Sequence, residues 1–330
     1  MLLGLLLATQ AGIVRGTVVA DSATPLPYAV VELTPGRRQF VDSHGGFVFT
    51  GVVPGRYRLS ARQVGFVPTE TAFTIVREPA PIRLVLRHLP IELNTIAVEV
   101  AAACRTPGSP TPAADTGLVT VFEQLFENAS RFQLMADDYP FTYWMERSAS
   151  DFDARGRSIW EGRDTLAIRS EQRLRYQPGS VVRRGLAPGG RPARVVGVPQ
   201  LPDLADSAFR ARHCFWYGGR VDLEGAPMVL LEFRAGERLP SVDVDGSVWL
   251  DAATFAVRRI VVRIAPAPIA DLQSVEVTAD FREVAPWLLV PRRIETVTVL
   301  ASRGVPVRRQ VEVQRLLRTH FSRPLDAVPP

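Results

Sequence analysis

Apolar and polar residues alternate with a period of two along the first part of the chain, from Ile13 to about Leu89. Short runs rich in β-branched residues, such as "GIVRGTVVAD" and "GRYRLSARQVGF", are separated by Pro, Gly and Asp. Such runs, punctuated at regular spacing by turn residues, are typical of an antiparallel β-sandwich. The pattern therefore predicts a β-sandwich over residues 12–91.

The alternation returns after Pro140 and continues to about Leu317, now in longer runs that follow one another in series. This order predicts an up-and-down antiparallel sheet, curved like a half-barrel over one helix. The segment "PGSVVRRGLAPGGRPARVVGVPQLPDLADS" interrupts the pattern with Gly, Pro and Arg. It is predicted to be a mobile loop on the surface or at a mouth.

A helical period occurs once, in "DTGLVTVFEQLFENAS". Its apolar residues recur at helical spacing and predict one amphipathic helix, with Asp115 or Thr116 as the N-cap: Leu118, Val121, Phe122, Leu125 and Ala129. The predicted order is a signal segment at 1–11, the sandwich at 12–91, a Pro-rich linker at 92–117, the helix and β domain at 118–320, and a tail at 321–330.

The sandwich segment carries further residues in a recognisable order. Gly16 and Val18 precede Asp21, "PLPYAVVEL" follows, and Asp42, Gly46-Phe47 and "VPGRYRLSARQVGF" complete the series. This series resembles the carboxypeptidase regulatory-like domain, a transthyretin-like sandwich. Val41 and Tyr28 depart from it, because that family usually has Thr and a small residue there. The resemblance implies a fold and no single activity, since such modules precede peptidases, outer-membrane receptors and other envelope proteins.

The second β-rich region shows a weaker resemblance. "GAPMVLLEF", "GSVWLDAATFAVRRIVVRI" and "WLLVPRRIETV" are similar to strands of the half-barrel of lipoprotein-carrier and related periplasmic proteins. The resemblance covers about half of that region and implies an apolar-ligand site in the curved sheet.

Composition and the N-terminus bear on the compartment. "MLLGLLLATQAG" is typical of the apolar part of a secretory signal, although it lacks a basic start; the alternative is a strand or a short buried helix. We expect export, to the periplasm or to an outer-membrane-associated or extracellular place. No later run is apolar enough to span a membrane. All 39 basic residues are Arg, interspersed with Asp and Glu, which argues against nucleic-acid binding.

Catalytic motifs are not found in the sequence. His88 and Glu92 lack both HxxE and HExxH spacing, and no other His has a Glu at helical spacing. Ser180 and Ser247 lack the second Gly of a nucleophile elbow. "DVDG" lacks the later Glu of a calcium loop, and its Asp245-Gly246 pair favours a hairpin turn. We therefore expect a non-enzymatic protein without a cofactor or a metal.

Carboxylates and aromatic residues leave weaker candidates. The pairs Asp137/Asp138 and Asp151/Asp153 are interpreted as solvated loop charges. "YPFTYW" is interpreted as the start of a core strand, with Phe141 and Tyr143 on one face and Trp144 on the other. Four aromatic residues are the candidates for a ligand-binding face: Tyr143, Trp144, Trp160 and Trp216.

"RARHCFWYGGR" raises the question of a reactive cysteine. Neighbouring residues on a strand face opposite sides, so His213 is badly placed to activate Cys214. Cys104 is the second of two cysteines, and an even count in an exported chain favours a Cys104–Cys214 disulfide. Gly218-Gly219 is predicted to begin the next turn.

Two functions follow from these patterns. The first is an exported binding or scaffolding protein with an apolar-ligand site in the C-terminal curved sheet. The second is an adhesion or carbohydrate-binding module that acts through the sandwich loops. The candidate partners are a lipid-like ligand, a glycan or another envelope protein.

Overall fold

The computed structural model describes residues 12–76, 79–89, 103–111, 116–172, 176–177, 181–186, 192–239, 242–264, 272–302 and 305–325. The predicted signal segment, residues 1–11, lies outside them. The chain forms two compact units: Met1–Pro90 with Pro324–Pro330, and Ile91–Arg323. The finer boundaries of the linker and the tail stay a prediction.

The N-terminal unit is a sandwich of two four-stranded sheets, with strand orders β4-β1-β8-β6 and β3-β2-β5-β7. Inward-facing residues of both sheets form one core that includes Val18, Val31, Phe47 and Leu59, each at most 2% exposed. The strands are β1 Gly12–Ala20, β2 Val30–Thr34, β3 Arg37–Phe40, β4 Gly46–Val52, β5 Gly55–Arg62, β6 Phe66–Val67, β7 Thr69–Ile75 and β8 Ile82–His88.

The C-terminal unit is built on one open antiparallel sheet of nine strands, in the order β10-β9-β19-β18-β17-β16-β15-β14-β13. Apart from β9 and β10, the strands are neighbours in reverse chain order, as the serial runs predict. The strands of this sheet are β9 Phe141–Phe152, β10 Ser158–Arg169, β13 His213–Leu223, β14 Ala226–Ala235, β15 Val244–Asp251, β16 Val257–Ile264, β17 Ser274–Ala285, β18 Leu288–Ser302 and β19 Val305–Phe321. The predicted fold class is confirmed.

One long helix, α1, covers part of the concave face. It runs from Thr116 to Asp138, about two turns further than the apolar pattern predicts. The extension brings in Phe132 and Met135, which are 4% and 0% exposed. Asn128, also buried, accepts from Val257 N–H and donates to the Phe255 carbonyl, which fixes the helix to the start of β16.

The Gly/Pro-rich segment is more ordered than predicted. Val182–Leu186 (β11) and Pro192–Val196 (β12) form a separate two-stranded hairpin. A 3-10 helix, Leu201–Ala205, and a short helix, α2 Ser207–Arg210, follow. Leu201 and Leu204 are 1% exposed, so this part is core and not a surface loop. The local richness in Gly and Pro concealed two buried leucines at 3-10 spacing.

Two turn predictions in the C-terminal unit are wrong. Asp245-Gly246 lies inside β15, where Gly246 faces Phe233 on β14 and Val262 on β16. A Cβ on Gly246 would lie 2.4 Å from the Phe233 ring, so Gly is needed for close packing and not for a turn. Gly218-Gly219 forms a bulge within β13, and the turn comes later, at Glu224-Gly225.

Candidate functional site

A cavity of about 520 Å³ lies on the concave side of the nine-stranded sheet. Its floor is formed by β16, β17 and β18, and its sides by β9, β10 and β19. Phe132 of α1 and the segment Val198–Pro202 also line it. The volume falls within the range of small-molecule sites.

The lining is apolar over most of its surface, because the inward positions of five strands, β9, β10, β16, β17 and β18, carry aliphatic or aromatic residues. Opposite residues in an antiparallel pair share a face, so the pairs Leu166–Met145 and Ile168–Tyr143 place their side chains on the same side. The apolar floor residues that line the cavity are Ile260, Val262, Val277, Phe281, Leu289 and Ile294. This surface can bind a hydrocarbon chain by removing it from water.

Polar residues line several parts of the cavity. Glu312 and Gln314 of β19 line one part, where Gln314 donates to Glu312 at 2.7 Å. The other polar residues of the lining are Arg169, Gln172, Gln200 and Thr296. Arg147 of β9 makes a two-bond contact with Asp164 of β10, with Arg147 Nε 2.8 Å from Asp164 Oδ1. The Arg147 guanidinium keeps the pKa of Asp164 below its usual value. The cavity therefore combines an apolar floor with polar groups around it.

The cavity also reaches the free edge of the sheet. Four consecutive residues of β10, Leu166 to Arg169, line it. Side chains alternate along a strand, so Leu166 and Ile168 point into the concave side while Ala167 and Arg169 point away. Ala167 and Arg169 can border the same space through their backbone atoms. The edge strand β10 therefore forms one side of the cavity.

The four aromatic candidates are placed apart from one another. Tyr143 is buried and lines the cavity. Trp144 faces the convex side, where the Arg318 guanidinium lies 4.2 Å from the ring centroid. Trp160 is half exposed on β10 and packs over Gly162, and Trp216 lies on the convex face of β13. Contact of any of them with a ligand stays a prediction.

Sequence reasoning missed the lining residues from α1 and from Val198–Pro202. Phe132 lies beyond the end of the predicted helix, and the sequence predicts the second segment only as part of a mobile loop on the surface or at a mouth. The signal for Phe132 was its continuation of the helical series Leu125, Ala129, Phe132. The position of Val198–Pro202 depends on tertiary packing, which the local sequence does not encode.

The other end of the same concave face is filled by aromatic side chains. Phe209 stacks on His213 with ring centroids 3.9 Å apart, and it meets the Phe233 ring edge-on at 5.4 Å. Both ring nitrogens of His213 lie at carbonyl oxygens, 2.8 Å from Phe209 and 3.1 Å from Val244. Burial lowers the pKa of His213, against the pull of the Asp243 carboxylate 3.7 Å away. No room is left here for a ligand between the three rings.

The predicted disulfide is confirmed. Cys104 and Cys214 are bonded, with Cα atoms 5.5 Å apart. His213 is completely buried on the concave side and Cys214 points to the opposite side, as alternation along β13 predicts. "RARHCFWYGGR" is therefore a structural segment.

The carboxylate pairs have local partners. Asp137 and Asp138 are exposed in the last turn of α1 and not in a loop, and Gln133 donates to Asp137. Asp151 accepts from Gln310, and Asp153 accepts from Arg155 and Arg157 in a turn. Within the described ranges, no group of three or more His, Cys, Asp or Glu could hold a metal ion. No helix in the same ranges is long and apolar enough to cross a membrane.

Comparison with known families supports the N-terminal resemblance. Residues 13–87 match the family model of the carboxypeptidase regulatory-like domain. This match covers less than a quarter of the chain and concerns the sandwich alone. No curated protein matches the chain by sequence.

Solved structures are similar to the chain at low identity. A LolA superfamily protein from Nitrosomonas europaea is 12% identical, covers 60% of this chain and 91% of its own, and has a TM-score of 0.32. A DUF1329 family protein from Desulfovibrio piger is 11% identical, covers 61% of this chain and 93% of its own, and has a TM-score of 0.31. A domain from Vibrio parahaemolyticus named for outer membrane lipoprotein sorting is 12% identical, covers 61% of this chain and 93% of its own, and has a TM-score of 0.34. At these scores the function has to be argued from the cavity.

Proposed function

We propose that the chain is an exported envelope protein that binds an apolar, lipid-like ligand in the concave cavity of its C-terminal unit. The observation that carries the proposal is the cavity itself, about 520 Å³ and lined by apolar residues of five strands. Transfer of a hydrocarbon chain into such a lining is favourable by about 0.8 kcal/mol per CH₂ group. The role is binding, without a chemical step.

The distribution of polar groups supports an elongated amphiphile over a glycan. A glycan carries hydroxyl groups along its whole length, and each would need a partner once buried. The apolar floor offers none, because its six side chains named above are all hydrocarbon. A hydrocarbon tail fits this floor, and a polar head fits the part with Glu312 and Gln314.

Export is part of the same proposal and rests on two observations. The first residues are typical of a secretory signal, and the chain contains a disulfide, which is a bond of oxidising compartments. The adhesion alternative through the sandwich loops stays a prediction from the sequence, because the match to the regulatory-like domain does not favour it.

The proposal can be tested by filling the cavity. Ala279 of β17 faces the cavity between Ile260 and Ile294, and its neighbour Thr278 faces the convex side. We expect Ala279→Phe to weaken binding of a fluorescent fatty-acid probe at least tenfold, because the ring occupies the space of the tail. Thr278→Phe adds the same ring on the other face and should bind like the parent chain.

Thermal melts of both variants are to establish that each is folded. The proposal is wrong if the parent chain, freed of bound material, does not bind the probe. It is also wrong if the folded Ala279→Phe and Thr278→Phe proteins bind the probe equally well.

A further inference from the structure

The two edge strands of the nine-stranded sheet, β13 and β10, differ in what contacts their outer sides. At one edge, β13 is covered by the segment around Cys104: Gly108 N–H donates to the His213 carbonyl at 3.0 Å, and the disulfide holds the segment in place. Glu237 N–H also donates to the Cys104 carbonyl at 3.0 Å. The Gly108 contact satisfies the His213 carbonyl, a backbone group that the edge strand would otherwise expose.

At the other edge, β10 is bare. No strand of the described ranges pairs with its outer side, and nine of its twelve residues are exposed. Two of them, Ile159 and Trp160, are large apolar residues that are 51% and 54% exposed. A twelve-residue edge with free backbone groups and exposed apolar side chains is a template for pairing with another strand.

We propose that β10 pairs antiparallel with β10 of a second copy, about a two-fold axis through Thr165, so that two sheets become one. Charge complementarity along the strand, "SIWEGRDTLAIR", identifies a second copy as the partner. With the axis at Thr165, Glu161 of each copy faces Arg169 of the other, and the two Thr165 side chains face each other. Opposite-charge and Thr–Thr pairs both stabilise a sheet in this position.

Most other registers are unfavourable. A two-fold axis at Glu161, Arg163 or Asp164 places that charged residue against its own copy, and an axis at Leu166 places Arg163 against Arg169. An axis at Gly162 pairs Glu161 with Arg163, but Arg163 already lies 3.6 Å from Glu146 of its own sheet. That register also leaves Ala167–Arg169, which border the cavity, unpaired. The axis at Thr165 therefore satisfies the charges and pairs the part of the edge that borders the cavity.

The Thr165 register also covers one of the exposed apolar side chains. It places Ile168 of one copy opposite Gly162 of the other, beside the Trp160 ring that lies over Gly162. Leu166 and Ile168, which line the cavity, then lie close to the axis. The cavity-lining parts of the two edge strands therefore face each other across the dimer.

Charge reversal tests both the dimer and its register. The full chain is expected to sediment as a dimer at micromolar concentration. Glu161→Arg and Arg169→Glu should each weaken the dimer about tenfold or more, because each creates two like-charge contacts. The double variant Glu161→Arg/Arg169→Glu should restore it. Arg282→Glu, an exposed charge on β17, is the matched control and should leave the dimer unchanged.

Three results would overturn the proposal. One is a parent chain that stays monomeric up to about 100 micromolar. Another is a double variant that is no better than the single ones. The third is rescue by Glu161→Arg/Arg163→Glu, which would place the axis at Gly162. Monomeric Glu161→Arg protein should still bind the fatty-acid probe, so loss of the dimer and failure of the cavity proposal are distinguishable.

Discussion

Both ends of the nine-stranded sheet have apolar strands, but the concave face is filled by side chains at one end and borders a cavity at the other. Near β13 to β15, the concave face is filled by α1 and by the stacked rings of Phe209, His213 and Phe233. Near β9, β10 and β17 to β19, the same face borders a cavity of about 520 Å³. The first end is sealed by a disulfide, whereas the second ends in a bare edge strand.

This difference shows that an apolar strand face does not by itself decide between core and binding site. What covers the face decides it. The aromatic residues of α2 and β13 cover one end, and Phe132, Gln172 and Val198–Pro202 reach over the other. Stability should therefore depend mainly on the filled end, and ligand binding on the hollow end.

The largest effect on stability is expected from the disulfide that seals the filled end. Replacing both Cys104 and Cys214 by Ala should lower the free energy of unfolding by about 4–5 kcal/mol, since the bond closes a separation of 110 residues. Chemical denaturation of the parent and variant under oxidising conditions measures the loss. A loss below about 1 kcal/mol would mean that the filled end does not depend on this bond.

A smaller effect on the free energy of unfolding is expected when one aliphatic side chain at each end is truncated to Ala, and this pair of variants compares the two ends directly. Leu231 of β14 is fully buried at the filled end, and Leu231→Ala should cost about 3 kcal/mol. Ile294 borders the cavity and is half-buried, so Ile294→Ala should cost about 1 kcal/mol, because fewer contacts are lost there. Urea denaturation of the two variants compares them. Equal losses would contradict the distinction between the two ends.

The smallest expected effect is a pH dependence at the filled end. Burial lowers the pKa of His213, so the unfolded chain binds the proton more tightly than the folded one. The contribution to stability is full above about pH 6.5 and falls as the pH drops below it, by at most about 1.4 kcal/mol per pH unit. Unfolding midpoints from pH 7.5 to 5 should show a shallower slope in His213→Phe. An identical slope would show that His213 binds protons equally in the folded and the unfolded chain.

Much of the fold could be predicted because the alternation of apolar residues is regular. The period of a strand places Phe141 and Tyr143 on one face. It also places His213 and Cys214 on opposite sides. Gly246 could not be predicted in the same way. Its Asp-Gly pair locally favours a turn, and only the packing of Phe233 against it explains a glycine inside a strand.

The candidate site was predicted only in outline. The curved sheet and Tyr143 follow from strand patterns. The cavity also depends on Phe132 and on Val198–Pro202, which lie outside the strands of the sheet. Val198–Pro202 is brought over the sheet by the buried pair Leu201 and Leu204, which pack beneath α1. The size of the space left between them is a property of tertiary packing.

Native mass spectrometry of the full chain, gently extracted from the envelope of cells that export it, tests the central claim most directly. We predict that the chain carries a lipid-sized mass and that Thr278→Phe retains it. The folded Ala279→Phe variant should lose it. A parent chain without added mass that also stays empty after incubation with lipid vesicles would contradict a ligand site in the concave face.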